Sequence, residues 1–272
     1  MTSEQILDRV RATALAFLPN AHTPYSGRPA SAAVLLSDGL MVPGVRVESA
    51  SFSLSIPAGL NAVTTAIAAS RRDVVALVYQ GPAPLTTDGY AQGLKLVAGR
   101  VPACWVHDGQ LPTPTQVLDP FEAGPGSDPA GATAWAKLVS ERALIPESHF
   151  PVGTILQTHD GRFLPGVNVE HPDWTCILCA ERNVLGTAVT FGALPVRSIG
   201  LGCPTAPGAS PCGACRQLIA ELAPDAVVWI DRGTSSPEAM TPGLLLPHAF
   251  YGDALPDAPS EGAVDLPDLP PV

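Results

Sequence analysis

Apolar and polar residues alternate along the chain with periods that predict both helices and strands. Residues 2–18 place their apolar positions near one face of an amphipathic helix, and Thr2 with Gln5 has the spacing of a capping box. The apolar segments 30–36 and 40–47 flank a Ser-Asp-Gly turn, which predicts a β-hairpin.

The same criteria predict elements along the rest of the chain. Asp128 and Pro129 have the residue types of an N-cap and a first helical position. Further helices are predicted over 56–70, 94–97, 175–190 and 212–222, and further strands over 74–79, 104–106, 154–157, 162–169, 196–201 and 227–230. Strands alternating with helices indicate an α/β fold.

The pattern occurs twice, at an offset of 122 residues. Residues 43–48 read Pro-Gly-Val-Arg-Val-Glu and residues 165–170 read Pro-Gly-Val-Asn-Val-Glu. An internal duplication predicts two repeated α/β/α units, each with a mixed sheet flanked by helices. We expect domains over 1–122 and 123–252, followed by a tail over 253–272 that is rich in proline and acidic residues and therefore extended or disordered.

Composition narrows the class of protein. The chain has 272 residues, of which 46% are hydrophobic and 15% charged, so a folded core is expected. Its net charge of −10 would repel a nucleic acid polymer but not a small neutral substrate. The sequence has neither the pattern of a signal peptide nor an apolar run of about 20 residues, which predicts a cytoplasmic protein without a membrane span.

Cysteines in two Cys-x-x-Cys pairs carry the candidate chemistry. Cys179, Cys212 and Cys215 provide three thiolates for one Zn²⁺ and leave a fourth position open for water, as catalytic zinc sites do. Glu181 lies two residues from a ligand, where its carboxylate can reach that water without ligating the metal. The alternative is a closed four-cysteine site that includes Cys176, typical of a non-catalytic, zinc-stabilised binding protein.

Several motifs in the second half resemble the free-nucleoside cytidine deaminase family, in the order in which they occur there. They are Ser-His-Phe-Pro-Val-Gly at 148–153, Pro-Gly-Val-Asn-Val-Glu at 165–170, Cys-Ala-Glu-Arg at 179–182, Ser-Pro-Cys-Gly-Ala-Cys-Arg-Gln at 210–217 and Leu-Leu-Pro-His-Ala-Phe at 245–250.

The resemblance implies an enzyme of pyrimidine salvage with one zinc ion per chain, bound in the C-terminal half. The implied reaction is hydrolytic deamination of cytidine or 2′-deoxycytidine to the corresponding uridine and ammonia, by a homodimer. A deaminase of another substrate, such as a nucleoside antibiotic of the blasticidin type, remains the alternative enzyme.

The resemblance also assigns roles near the metal. Glu181 would carry protons between water, the ring nitrogen and the departing ammonia. Arg182 would donate hydrogen bonds to the thiolates and reduce their negative charge, although a surface salt bridge is the other interpretation of this residue. The backbone carbonyl of Ala180 would accept a hydrogen bond from the departing amine.

Four further residues would bind the nucleoside. Asn168 and Glu170, two apart on a strand and therefore on one side, would hydrogen-bond the ribose 3′-hydroxyl. Phe150 would flank the pyrimidine and Phe250 would cover it, although both could also be ordinary core residues.

The first half lacks this chemistry. At the offset of 122, Cys179 corresponds to Pro57, Glu181 to Gly59, Cys212 to Tyr90 and Cys215 to Gly93. We therefore expect the first half to fold similarly, to bind no zinc and to provide a packing surface for the second.

Overall fold

A computed structural model describes residues 1–81, 95–96, 104–126, 128–173, 176–234 and 236–255. The helices are α1 Ser3–Phe17, α2 Ala58–Ala68, α3 Pro129–Val139, α4 Ala180–Thr190, α5 Gly213–Leu222 and α6 Pro242–Leu245. The strands are β1 Ser31–Leu36, β2 Met41–Val45, β3 Val74–Gln80, β4 Lys95–Leu96, β5 Cys104–Val106, β6 Gly153–Thr158, β7 Phe163–Val167, β8 Val196–Gly202, β9 Val227–Ile230 and β10 Glu238–Met240.

The strands form two five-stranded sheets, which confirms the α/β fold class. Their orders are β2-β1-β3-β5-β4 and β10-β9-β8-β6-β7. In the second sheet β8 and β9 are parallel because α5 connects them, so this sheet is mixed as predicted. Every strand pair in the described part of the first sheet is antiparallel, which makes the prediction of a mixed sheet wrong there.

Element boundaries in the two halves follow the offset of 122 residues. The bounds of β1, β2, α2 and β3 become those of β6, β7, α4 and β8 when 122 is added to each number. Gly44 and Gly166 occupy one such pair of positions, and a Cβ at either would lie 2.3–2.5 Å from backbone atoms of the adjacent helix. Glycine at this position lets each helix lie directly on its hairpin.

Helices cover both faces of each hairpin. Alternate residues of β1 point to opposite sides: Leu35 packs with Ile6 and Val10 of α1, whereas Val34 packs with Ala62 of α2. Burial of these apolar side chains is the main stabilising contribution to the layers. The halves also share core packing, since one cluster contains Ile56 and Leu60 together with Leu185 and Val189.

Polar contacts join α2 to α4 at the centre of the protein. The Asn61 amide donates to the carbonyl of Gly186 at 3.1 Å and to the Thr190 hydroxyl at 3.0 Å, while Thr190 Oγ1 accepts from the Val45 N–H at 3.2 Å. These buried bonds hold the two halves in one relative position.

The structure confirms some predicted boundaries and corrects others. Both the Thr2–Gln5 capping box and the Asp128 N-cap are present. The predicted helix over 94–97 is wrong, because residues 95–96 pair with β5 as a strand; residues 94 and 97 lie outside the described residues.

Helix α4 begins at Ala180 rather than at the predicted residue 175, because the backbone of Leu178 pairs with Val169 in an isolated bridge. Sequence analysis did not predict β10 or α6. Most of the predicted tail, residues 256–272, lies outside the described residues. In the part of the chain that the structure describes, no helix combines the length and apolarity needed to cross a bilayer.

Candidate metal and active site

Three cysteine thiols converge where two helices begin. Cys179 is the N-cap of α4, Cys212 is the N-cap of α5, and Cys215 lies in the first turn of α5. Cys212 Sγ lies 3.8 Å from Cys179 Sγ and 3.4 Å from Cys215 Sγ, and all three sulfurs lie within 4.8 Å of one another. Helix N-termini favour the thiolate form, which is the form that binds a metal.

The spacing fits one tetrahedral zinc ion. Zn–S bonds of about 2.3 Å at tetrahedral angles separate the sulfurs by about 3.8 Å. Cys176 is buried but lies outside the group of sulfurs within 4.8 Å, so the described residues assemble three ligands rather than a closed set of four.

Hydrogen bonds among the three sulfurs shift the pKa values of the Cys212 and Cys179 thiols in opposite directions. The hydrogen bond with Cys179 and those with Cys215 and nearby backbone N–H groups lower the pKa of the Cys212 thiol to about 2. Donating to Cys212 raises the pKa of Cys179 to about 12. A metal ion bound here would displace the remaining thiol protons, so metal affinity should depend on pH.

Glu181 is buried next to the cysteine sulfurs. It is in the first turn of α4, 3% exposed, and its Oε2 accepts a hydrogen bond from the Cys215 thiol at 3.2 Å. Burial raises the pKa of Glu181, while a hydrogen bond from its own backbone N–H opposes that shift. A carboxyl group with a raised pKa holds a proton more readily than a solvated glutamate does, which suits a group that both accepts and donates a proton.

Arg182 does not bond to the thiolates in this structure. Its Nη2 donates to the carbonyl of Leu54, in the first half, at 2.8 Å, and its Nε is buried with no hydrogen-bond partner among the described residues. Among the described residues, the acceptor of Arg182 is a backbone carbonyl rather than a carboxylate, so no surface salt bridge is formed there.

The predicted ribose pair holds the loop that precedes β6. Asn168 accepts from the Val152 N–H at 2.9 Å and donates to the carbonyl of Phe150 at 2.9 Å. Glu170 accepts from the backbone N–H groups of Glu147 and Ser148, both at 3.0 Å, and from the Ser148 hydroxyl. Burial opposes ionisation of Glu170, but the bonds from Ser148 and Glu147 outweigh it and lower the pKa of this carboxyl.

The first half contains the same loop arrangement without the asparagine. Glu48 accepts from the backbone N–H groups of Tyr25 and Ser26 and from the Ser26 hydroxyl. Arg46 replaces Asn168 and forms an ion pair with Glu48 at 2.8 Å. The glutamate therefore stabilises a loop in both halves, and Asn168 is the member of the pair that distinguishes the second.

The two candidate aromatic residues are both partly exposed. Phe150 is 39% and Phe250 46% exposed, so neither is a core residue in the isolated chain. Gln217 on α5 forms hydrogen bonds with both the N–H and the carbonyl of Phe250. The Ala180 carbonyl accepts from the Thr154 hydroxyl at 3.1 Å and, as the first residue of α4, also from the helical N–H four residues later, so an amine would have to displace or share one of these donors.

Arg216 and Gln217, in the motif at 210–217, had no role predicted from the sequence. Arg216 donates to the Pro211 carbonyl at 2.7 Å, to the Ser210 hydroxyl at 2.8 Å and to the Leu245 carbonyl at 3.0 Å. It thus fixes the loop before Cys212 against α6. A long donor side chain directly after Cys215 could have indicated a role for Arg216 in holding the cysteine loop. Two of its acceptors are backbone carbonyls, which cannot be identified from residue types.

A tyrosine replaces the buried carboxylate in the first half. Gly59, the counterpart of Glu181, donates its N–H to the Tyr79 hydroxyl at 3.0 Å. The Tyr79 oxygen therefore accepts the hydrogen bond that the Glu181 carboxylate accepts in the second half. Tyr79 is fully buried and packs edge-on against Trp105 at a ring-centroid distance of 5.6 Å; Tyr90 and Gly93 lie outside the described residues.

Known proteins similar to this chain are cytidine deaminases. Residues 130–231 match the family described as "Cytidine and deoxycytidylate deaminase zinc-binding region". The chain is 36% identical over 123 residues to the cytidine deaminase of Sporosarcina psychrophila, covering 45% of this chain and 90% of that protein. It is also 36% identical over 116 residues to the cytidine deaminase of Mycobacterium tuberculosis strain H37Rv, covering 42% of this chain and 83% of that one.

Among solved structures, the cytidine deaminase of Burkholderia pseudomallei is 36% identical, with a TM-score of 0.41, over 44% of this chain and 96% of that chain. By its sequence relatives, the chain belongs to the cytidine deaminase family.

Proposed function

We propose that the protein catalyses zinc-dependent hydrolytic deamination of cytidine or 2′-deoxycytidine, giving the corresponding uridine and ammonia in pyrimidine salvage. The observation that carries this proposal is the buried Glu181 carboxyl 3.2 Å from a sulfur of the three-cysteine group. Membership of the family supports the same chemistry. The acidic net charge of −10 favours a small nucleoside over a nucleic acid polymer.

Cys179, Cys212 and Cys215 would hold one zinc ion per chain, and zinc supplies the Lewis acidity that activates a water molecule at neutral pH. Glu181 takes one proton from the attacking water and delivers it to N3 of the pyrimidine. The water oxygen bonds to C4, and the C4–N bond breaks after Glu181 transfers the second proton to the amine, which leaves as ammonia. Burial raises the pKa of Glu181 above that of a solvated glutamate, which favours a role in proton transfer.

The ribose and the base would bind beside this carboxyl. Glu170 accepts three hydrogen bonds from its own loop, and an ionised carboxylate has about four acceptor positions, so one remains for the 3′-hydroxyl. Asn168 would position the Phe150 loop, with Phe150 and Phe250 on the pyrimidine. The Ala180 carbonyl would accept from the amine in place of the Thr154 hydroxyl.

Arg182 would offset the charge of the thiolates at short range. Three thiolates and one Zn²⁺ carry a net charge of −1, which makes a bound water less acidic. The Nε of Arg182 is buried without a partner, and this is the donor that we expect to turn toward a thiolate.

The first half would act as a packing partner, and the chain would form a cytoplasmic homodimer. Boundaries of 1–122 and 123–252 fit the two sheets, and the Tyr79 substitution supports a first half without catalysis.

The decisive experiment is ammonia release from cytidine and 2′-deoxycytidine by purified, zinc-loaded protein. Cytosine, a nucleoside antibiotic of the blasticidin type and single-stranded DNA should be tested in parallel. Turnover of only the antibiotic or the free base would replace the proposed substrate, and no turnover of any amine would favour a zinc-stabilised binding protein.

A further inference from the structure

A network of hydrogen bonds links the first half of the chain to the helix that carries two of the cysteines. At its centre is Glu221, in the last turn of α5. Its Oε1 accepts from the Ser49 hydroxyl at 2.7 Å, and its Oε2 accepts from the Ala50 N–H at 2.8 Å and from the Tyr25 hydroxyl at 3.5 Å. All three donors belong to the first half.

The same carboxylate is bonded to the side chain that holds Phe250. The Gln217 amide donates to Glu221 Oε1 at 2.7 Å, one helical turn away. Gln217 in turn bonds to both backbone groups of Phe250. A continuous path therefore runs from Ser49 and Ala50 through Glu221 and Gln217 to Phe250.

A loop of the first half also contacts α4, the helix that Cys179 caps. Residues 49–54, which we call the bridging loop, accept the Arg182 hydrogen bond at the Leu54 carbonyl. The loop is braced internally, because the Ser49 N–H donates to the Ser55 hydroxyl at 3.3 Å and the Ser51 N–H donates to the Ser49 hydroxyl at 3.1 Å. One loop of the non-catalytic half thus binds α4 through Arg182 and α5 through Glu221.

We propose that Glu221 is a positioning residue, through which the bridging loop fixes α5 and the Phe250 segment relative to α4. A carboxylate that receives several hydrogen bonds is strongly anchored, since bonds to charged groups are roughly twice as strong as neutral ones. Without Glu221, the Gln217 amide keeps its bonds to Phe250 but loses the acceptor that orients it, so the Phe250 backbone is held less firmly. The first half then acts on the site through the bridging loop.

The predicted effect on nucleoside binding rests on the proposed function, whereas the effects on zinc transfer and on hydrogen exchange do not. Glu221→Ala, in the full-length zinc-loaded protein, should raise KM for cytidine about tenfold, the effect of losing hydrogen bonds to a charged group, while kcat stays within about threefold. Zinc should pass faster to a chelator, and backbone amides of residues 245–252 should exchange hydrogen faster.

Glu221→Gln serves as the conservative variant, because its amide oxygen still accepts from Ser49 or Ala50. It should recover part of the KM effect. Ser49→Ala removes one donor only and should give a smaller change in the same direction.

Glu122→Ala is the matched control, since it removes another half-buried glutamate that bonds to Arg142 away from the cysteines. It should leave KM, zinc transfer and exchange at 245–252 unchanged, even if it lowers thermal stability.

Unchanged KM, zinc transfer and exchange in folded Glu221→Ala would overturn the inference, as would equal effects of Glu122→Ala. If wild-type protein deaminates no cytidine, the proposed function fails, and faster zinc transfer and exchange in Glu221→Ala alone would still support the positioning role.

Discussion

Thr65 and Thr187, which are 122 residues apart in the chain, share a hydrogen bond of 2.8 Å between their buried hydroxyl groups. Each is the counterpart of the other under the offset that relates the two halves. A residue that contacts its own counterpart lies next to an axis of approximate two-fold symmetry. The α2–α4 contact is therefore arranged as the interface of a symmetric dimer is, within one polypeptide.

This symmetry predicts the energetic behaviour of the threonine pair. Thr65→Val and Thr187→Val should each destabilise the protein, and Thr187→Val more, because it removes the acceptor of the buried Thr65 hydroxyl, whereas after Thr65→Val the Thr187 hydroxyl still donates to the Asn183 carbonyl at 3.1 Å. The double variant should be less destabilised than the sum, with a coupling of about 1 kcal/mol. Urea unfolding of the four proteins measures the cycle, and strictly additive losses would contradict the pairing.

Gly186 is predicted to tolerate no larger residue at the same interface. A Cβ at this position would lie 2.7 Å from Asn61 Oδ1, and the Asn61 amide is held by three hydrogen bonds. Gly186→Ala should therefore destabilise the protein by about 1–3 kcal/mol despite the helix propensity of alanine. Gly243→Ala, where a Cβ meets nothing within 4 Å, is the control and should change the unfolding free energy little.

Glu181 is predicted to be required for turnover and not for metal binding. Glu181→Gln keeps the shape of the side chain but cannot transfer protons, so kcat should fall by about 10² to 10⁴-fold. Zinc content, measured by atomic absorption, should remain at one ion per chain. Turnover at the wild-type rate would exclude the proton shuttle, and loss of zinc would place Glu181 among the ligands.

Metal analysis of cysteine variants should distinguish the open site from the closed one. Cys212→Ser should release zinc and abolish activity, whereas Cys176→Ser should retain zinc, because Cys176 lies outside the sulfur group. X-ray absorption of the wild-type protein should show three sulfur ligands and one lighter ligand. Four sulfurs, or zinc loss in Cys176→Ser, would support the structural site instead.

The loop held by Glu170 should loosen at acidic pH. Because the pKa of Glu170 is lowered in the folded protein, its contribution to stability is complete above the ordinary glutamate pKa of about 4.3 and is lost as pH falls through the folded value. Ser148→Ala removes a donor to the carboxylate and should move this loss to higher pH. Titration of the Glu170 carboxyl by NMR tests both statements, and an identical pKa in the two proteins would contradict them.

The repeat could be predicted from sequence because identical residues recur at one fixed offset, and the strand and helix boundaries preserve it. The cysteine group was predictable for a similar reason: Cys-x-x-Cys at a helix start fixes two ligands locally, and only Cys179 had to be added at long range. The helix start at Ala180 was not predictable, because the pairing of Leu178 with Val169 is a tertiary contact that overrides local propensity.

The partners of Arg182 were beyond sequence analysis for the same reason. Its acceptor is a backbone carbonyl 128 residues away, and backbone atoms leave no signal in the residue type at position 54. Strand direction in the first sheet was also not predictable, since β5 returns antiparallel where its counterpart is parallel. A mixed sheet was predicted for the first half because the strand directions expected in the second half were carried over to it.

The Tyr79–Gly59 contact makes it difficult to place a carboxylate like that of Glu181 in the first half. A reversion of Gly59 to glutamate would place a second acceptor beside an N–H that the phenol oxygen already occupies, in a site closed by Trp105. Replacement of the buried Tyr79 by a smaller residue would leave a void beneath the sheet, with no carboxylate to fill it. Each of these single replacements should therefore destabilise the first half without creating a metal site there.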